Sequence, residues 1–208
     1  MPVDEPQYPV HLNVSGRRCL VVGGGPVARR KARGLLEAGA VVTMVAPDAD
    51  EELAGLTLER RTYRSGEAAG YRLVITATGD PAVDGEVFRD ADAAGVWVNS
   101  ADDPVHCSFT LPAVVRRGPL TFSVGTGGHS PALARWLKAE LEAQFGPEYE
   151  VLLRLLSEAR EVLRSKGIAT EGLSWQQALD SGMLELVRAG REAEARERLQ
   201  ACLSSSSD

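Results

Sequence analysis

The stretch Cys19-Leu20-Val21-Val22-Gly23-Gly24-Gly25-Pro26-Val27-Ala28 constrains this chain more than any other. A short apolar run meets three glycines and passes at once into a helix-forming segment. This is how a parallel strand delivers an anion to a helix N-terminus. In the G-x-G-x-x-A spacing, Gly23 permits the tight turn, Gly25 lets backbone approach a pyrophosphate, and Ala28 keeps helix and strand close. The exposed N–H groups and the positive helix end then favour the anion. Residues 27–39 carry apolar side chains at Val27, Ala28, Ala32, Leu35 and Leu36, and Gly39 stops the helix. Ala40–Ala46 follows as a second buried strand, which completes one βαβ unit. The expectation is a dinucleotide-binding domain that opens near the N-terminus.

The alternation continues. Thr57–Tyr63 suits an edge strand, Tyr71–Thr78 a buried strand, Ala82–Ala94 a helix stopped by Gly95, and Val96–Asn99 another strand. Strand and helix in turn imply a mostly parallel sheet covered on both faces. Ligands of such sheets lie beyond the carboxyl ends of the strands. Those ends are Gly23–Val27, Pro47-Asp48, Thr78-Gly79 and Asn99–Asp103. Next, Phe109–Val115 and Leu120–Val124 read as paired strands joined by a turn at Arg116–Pro119. Ser130 and Pro131 suit N-cap and first position of a helix over 132–145. The remainder reads as helices at 149–166, 174–189 and 192–203, with a frayed tail.

At 208 residues and 44% apolar composition, one medium domain and a smaller partner can each bury a core. No 18-residue apolar run and no signal-like N-terminus occur, so a soluble cytoplasmic protein is expected. Cys19, Cys107 and Cys202 lack metal-ligand or disulfide-framework spacing, and no metal site is expected. A net charge of −6 argues against nucleic-acid binding. The charge is uneven. Residues 1–112 hold eleven Lys/Arg against sixteen Asp/Glu, whereas residues 113–139 hold Arg116, Arg117, Arg135 and Lys138 and no acid. Such a segment fits either an anionic ligand or a basic face balanced by neighbouring acids. The second strand ends at Val45-Ala46-Pro47 with Asp48 as the nearest acid and no arginine directly after it, which favours NAD over NADP. Arg29, Arg30, Lys31 and Arg33 read as a solvated helix face. Just past a strand end, Asp102 and Asp103 offer carboxylates for proton transfer, and one of the two is expected to serve only the Asp-Pro turn.

Five motifs occur together and in order: Gly23-Gly-Gly-Pro-Val-Ala-Arg-Arg-Lys-Ala32, Ala77-Thr78, Asn99-x-x-Asp102-x-Pro104, Ser108-Phe109-x-x-Pro112 and Gly127-Gly128-x-Ser130-Pro131-x-x-Ala134-Arg135. The set resembles the precorrin-2 dehydrogenase family, the siroheme synthase N-terminal region, over about residues 8–165. The resemblance implies oxidation of precorrin-2 to sirohydrochlorin with NAD, in some members followed by insertion of ferrous iron. It implies a Rossmann-type α/β domain over 1–112, a small α+β dimerisation region over 113–147, a helical region over 148–208, and a homodimer. Carried over by position, the catalytic aspartate falls on Asp102. Nucleotide contacts fall on Gly24, Gly25, Pro26, Val27, Pro47 and Asp48, and the cofactor site is expected to include Gly23 of the turn and Thr78 and Asn99 at the neighbouring strand ends. Arg116, Arg117, Ser130 and Arg135 are the expected contacts for the substrate's carboxylates. Thr126 stands where relatives carry a serine, and His106 and His129 depart from the family pattern, so none of the three receives a role. The large relatives' methyltransferase domain has no counterpart in these 208 residues. Two other classes fit parts of the pattern. One is a nucleotide-sensing module that binds NAD without chemistry. The other is a hydrolase built on Ser130 with His129 or His106, for which the G-x-S-x-G elbow is missing.

Overall fold

A computed structural model describes residues 6–49, 53–101 and 103–204. The chain divides into two compact units, Met1–Leu111 with Gly127–Ser130, and Pro112–Thr126 with Pro131–Asp208.

In the first unit, β1 (Arg18–Val22), β2 (Val41–Val45), β3 (Leu56–Glu59), β4 (Leu73–Thr76) and β5 (Trp97–Ser100) form one parallel sheet in the order β3-β2-β1-β4-β5. The order reverses between β1 and β4, which creates a crevice at the carboxyl ends of those two strands. Alternation along β1 explains why both faces are covered. Cys19 and Val21 point to one face, where Ala28 and Ala32 of α1 (Pro26–Glu37) pack with Val42, Met44 and Ile75. Leu20 and Val22 point to the other, against Val87 and Ala91 of α2 (Pro81–Ala93) and Val74 and Val98. Ala28 and Ala32 are fully buried, and their small side chains let α1 lie close to the sheet. Both helices begin with proline, whose missing N–H costs nothing in the first turn. Asp80 caps α2 by accepting the Ala82 N–H at 2.9 Å. The edge strand β3 is shorter than its sequence pattern. Pairing ends at Glu59, opposite Val45 at the end of β2, and beyond it Arg61 turns back to pair with Glu59 at 2.5 Å and with Glu67 at 2.6 Å. The segment 6–14 runs without regular structure and leaves Tyr8, Val10 and Leu12 exposed.

The second unit opens with an antiparallel pair, β6 (Ala113–Arg117) and β7 (Leu120–Val124), with Val115 opposite Phe122. The connection is only Gly118-Pro119, so Arg116 and Arg117, expected in a turn, lie within β6. Helix α3 (Pro131–Gln144) follows and buries none of its residues. Helix α4 (Glu148–Ser165) supplies Leu152 and Leu155 to a separate core with Ala178, Met183, Leu186, Ala195 and Leu199. The helix expected over 174–189 is interrupted. It consists of α5 (Trp175–Ala178), a wide π-type turn at Leu179–Met183, and α6 (Leu184–Arg188). Gly182, at φ 85°, causes the break, and Arg198 donates to the Ser181 carbonyl at 2.6 Å. Helix α7 (Glu192–Ser204) completes the bundle. Among the described residues, no helix is long and apolar enough to cross a membrane.

Candidate functional site

The three glycines have three different surroundings. Gly23, at φ 118°, donates its N–H to the Val45 carbonyl at 2.9 Å. A Cβ built there would lie 2.3 Å from the Ala77 carbonyl oxygen at the end of β4. A Cβ on Gly24 would lie 2.1 Å from the Asp48 carbonyl oxygen, just past β2. The turn is therefore wedged between the ends of the strands on either side of β1. Gly25, by contrast, has nothing within 4 Å of its Cβ position, and it caps α1 with no side-chain hydrogen bond. A bare helix start thus opens beyond the switch-point crevice, with no Cβ to hold a phosphate away. Backbone donors, a positive helix end and clearance at Gly25 fit a dinucleotide pyrophosphate.

The flanking residues lie as the strand ends require. Pro26, Pro47 and Asp48 are exposed and Val27 is half-buried. Contact with Gly24 brings the Asp48 backbone directly against the turn. The Thr78 hydroxyl is committed elsewhere. It reaches Asp84 Oδ1 at 2.7 Å, and the Asp80 N–H donates to it at 3.0 Å. Asp84 is 6% exposed, and the same oxygen accepts the hydroxyl of Thr76 and the Thr78 N–H at 3.3 Å. This buried carboxylate pins the β4 end that faces Gly23, and sequence reasoning passed it over. A signal existed: two threonines two apart at a strand end, followed by an acid in the first turn of the next helix.

At the end of β5, Asn99 is 6% exposed and uses both ends of its amide. Its Oδ1 accepts from Lys31 Nζ at 3.0 Å, and its Nδ2 donates to the Phe109 carbonyl at 3.0 Å. Arg30 and Arg33 are exposed as a solvated face requires, but Lys31 is half-buried and reaches across to β5. That expectation is corrected for Lys31 and for Arg29, which is also half-buried. The helical period places Lys31 one residue from Ala32, on the flank of the buried stripe. The segment after β5 is laced back onto the strand. The Ser108 N–H donates to the Val98 carbonyl at 2.8 Å, and the Val98 N–H donates to Ser108 Oγ at 2.7 Å. Cys107 Sγ accepts the Ser100 N–H at 3.3 Å, and burial raises its pKa, as packing does for a thiol. Asp103 caps a short 3₁₀ turn by accepting the Val105 N–H at 3.2 Å, and its Oδ2 lies 2.6 Å from His106 Nδ1. That hydrogen bond to His106 holds the Asp103 carboxyl below its ordinary pKa. Of the two aspartates, Asp103 thus serves the turn. Asp102 lies outside the described residues.

The basic segment is divided in its duties. Arg117 donates from Nε to the Phe145 carbonyl at 2.7 Å and from Nη2 to the Glu142 carbonyl at 3.0 Å, closing the C-terminal end of α3. Arg117, expected as a substrate contact, thus has its guanidinium held by main-chain oxygens in this structure. Lys138 lies 3.6 Å from Glu142. Arg116 and Arg135 are exposed, and Ser130 immediately precedes α3 in the chain. No cluster of three or more His, Cys, Asp or Glu side chains suited to a metal occurs among the described residues.

Comparison with known proteins agrees with this geometry. Residues 10–113 match the family described as "Putative NAD(P)-binding". The chain is 38% identical to a siroheme synthase of Nitrosococcus oceani over 206 residues, covering 95% of this chain and 44% of that protein. It is 40% identical to a siroheme synthase of Pseudomonas putida over 201 residues, covering 93% and 43%. The chain therefore spans less than half the length of these relatives. Among solved structures, SirC, a precorrin-2 dehydrogenase, superposes with a TM-score of 0.73 at 25% identity, covering 94% of this chain and all of that one.

Proposed function

The chain belongs to the family described as "Putative NAD(P)-binding", and from that premise, with its similarity to siroheme synthases and to SirC, we propose that it oxidises precorrin-2 to sirohydrochlorin with NAD. The observation that carries the reading is the bare, Cβ-free helix start at Gly25, beside the crevice between β1 and β4. Bound there, NAD supplies the two-electron acceptor. The backbone at Gly24–Val27 holds the pyrophosphate, and Asp48 accepts from the adenine-side ribose. Two hydrogens leave the macrocycle, one with the electron pair and one as a proton, and Asp102 is the base for the proton. Arg116, Arg135 and Ser130 are the side chains offered to the substrate's carboxylates.

The reading includes a second copy of the chain. Helix α3 buries nothing, and its Leu133 and Trp136 are 47% and 58% exposed. An apolar helix face of that kind is what a homodimer covers. It also places the reaction in the cytoplasm, where Cys19, Cys107 and Cys202, none of them in a disulfide, stay reduced.

The test is an anaerobic assay of the pure protein with precorrin-2 and NAD, following NADH and sirohydrochlorin, with ferrous iron added in a separate arm. NADH and sirohydrochlorin should form together. Siroheme in the iron arm would extend the activity to metal insertion. Tight NAD binding with no NADH would replace the enzyme by a sensing module. Asp102→Ala should keep NAD affinity and lower turnover by roughly 10²–10⁴-fold. Unchanged turnover would remove Asp102 from the chemistry.

A further inference from the structure

We infer that Lys31 is a positioning residue, linking the helix that anchors the dinucleotide to the loop that carries the proposed base. This inference rests on the dehydrogenase reading for its catalytic consequence, though not for the link itself. Helix α1 starts at the open Gly25 turn, and Lys31 lies on that same rigid helix, between the buried Ala28 and Ala32. Its ammonium donates to the Oδ1 of a nearly fully buried asparagine on β5, at 3.0 Å. Asn99 then donates to the Phe109 carbonyl at 3.0 Å, across the base of the loop. Residues 99 and 109 are therefore the two stems of that loop, and one side chain joins them. Cys107 and Ser108 add the bonds to Ser100 and Val98 that close it.

The placement of Asn99 explains why the charged donor matters. A buried amide with an unsatisfied oxygen costs free energy, so Asn99 holds its rotamer only while a donor reaches Oδ1. The only cation with a hydrogen bond to it among the described residues comes from α1. The ammonium's field also reaches the Cys107 thiol and opposes the effect of burial there. A shift of α1 is thus transmitted to the loop through the charge-assisted Lys31–Asn99 bond. A solvated surface lysine would have no such consequence.

The experiment compares wild type with Lys31→Met and Lys31→Arg. NAD affinity is read by titration, precorrin-2 oxidation by kcat and KM, and amide hydrogen exchange at Ser100 and Ser108 in the protein without ligand. Lys31→Met should bind NAD within about twofold of wild type, lose tenfold or more in kcat, and exchange both amides at least tenfold faster. Lys31→Arg, which keeps a cationic donor, should restore most of both. Asn99→Ser, which removes the acceptor from the other side, should reproduce the exchange result and covers the case that Lys31→Met folds poorly. Wild-type exchange in both Lys31→Met and Asn99→Ser would overturn the link. A lost kcat with wild-type exchange would also overturn it, because Lys31 would then act on substrate directly. If wild type itself forms no NADH from precorrin-2, the dehydrogenase reading falls, while the exchange comparison still decides the link.

Discussion

Two glycines of the first turn are pressed against carbonyl oxygens, at Ala77 and Asp48, and the third faces open space. The difference separates folding from binding at single-residue resolution. Gly24→Ala should cost about 1–3 kcal/mol, because the clash is with backbone, which cannot rotate away. Gly25→Asp should leave the melting temperature close to wild type and abolish NAD titration by repelling the pyrophosphate. Thermal unfolding and cofactor titration of the two variants check this directly. A second residue-scale consequence comes from Asp103. Its carboxyl is held below the ordinary value by the hydrogen bond to His106, so the folded pKa lies under the unfolded one. The stability it contributes is present above the unfolded value, about 4, and is lost as pH falls through the lower folded value. Both side chains are about one-third exposed, so the effect is small. Urea unfolding of wild type and Asp103→Asn should differ at pH 7, and the gap should close when the titration is repeated near pH 2.

At the scale of elements, capping decides more than propensity. Helix α3 buries nothing, so its own ends matter. Arg117 supplies donors to the Glu142 and Phe145 carbonyls at its C-terminal end. Arg117→Ala should destabilise the protein by about 1–2 kcal/mol, and Arg117→Lys should recover only part of this, because an ammonium cannot reproduce the two-pronged contact. Denaturant midpoints of the three proteins measure it. If Arg117→Ala instead raised the precorrin-2 KM with unchanged stability, the carboxylate-binding role expected for this residue would be supported. The strand β3 has a pattern that runs to Tyr63 but ends at Glu59, opposite the last residue of its partner β2.

At the scale of the whole molecule, the chain carries independent cores, one on each face of the parallel sheet and one in the helical bundle. Among the apolar side chains it leaves exposed are Leu133 and Trp136 of α3. If a second copy covers that face, Trp136→Asp should shift the protein from dimer to monomer in light scattering, with the helical content unchanged. A wild-type protein already monomeric at assay concentration would reject the dimer.

How much of this was written in the residues can be judged element by element. The β1–α1–β2 unit, the glycine turn and the parallel sheet follow from local pattern, because a buried strand needs an apolar run and a tight turn needs glycine wherever they occur. The break at Gly182 was also in the sequence, as a glycine inside a helical pattern, yet its conformation is decided by packing around it. Which polar groups meet across the fold was out of reach. Lys31 and Asn99 are 68 positions apart, and Arg117 and Phe145 are 28 apart. Helical and strand periods say which face a side chain occupies, but not which distant partner shares that face. The chain alone therefore determined the dinucleotide turn and the elements around it. Tertiary structure decided which charges stay available for a ligand and which are held by main-chain oxygens or buried amides, since desolvation and long-range hydrogen bonding arise only when the elements pack.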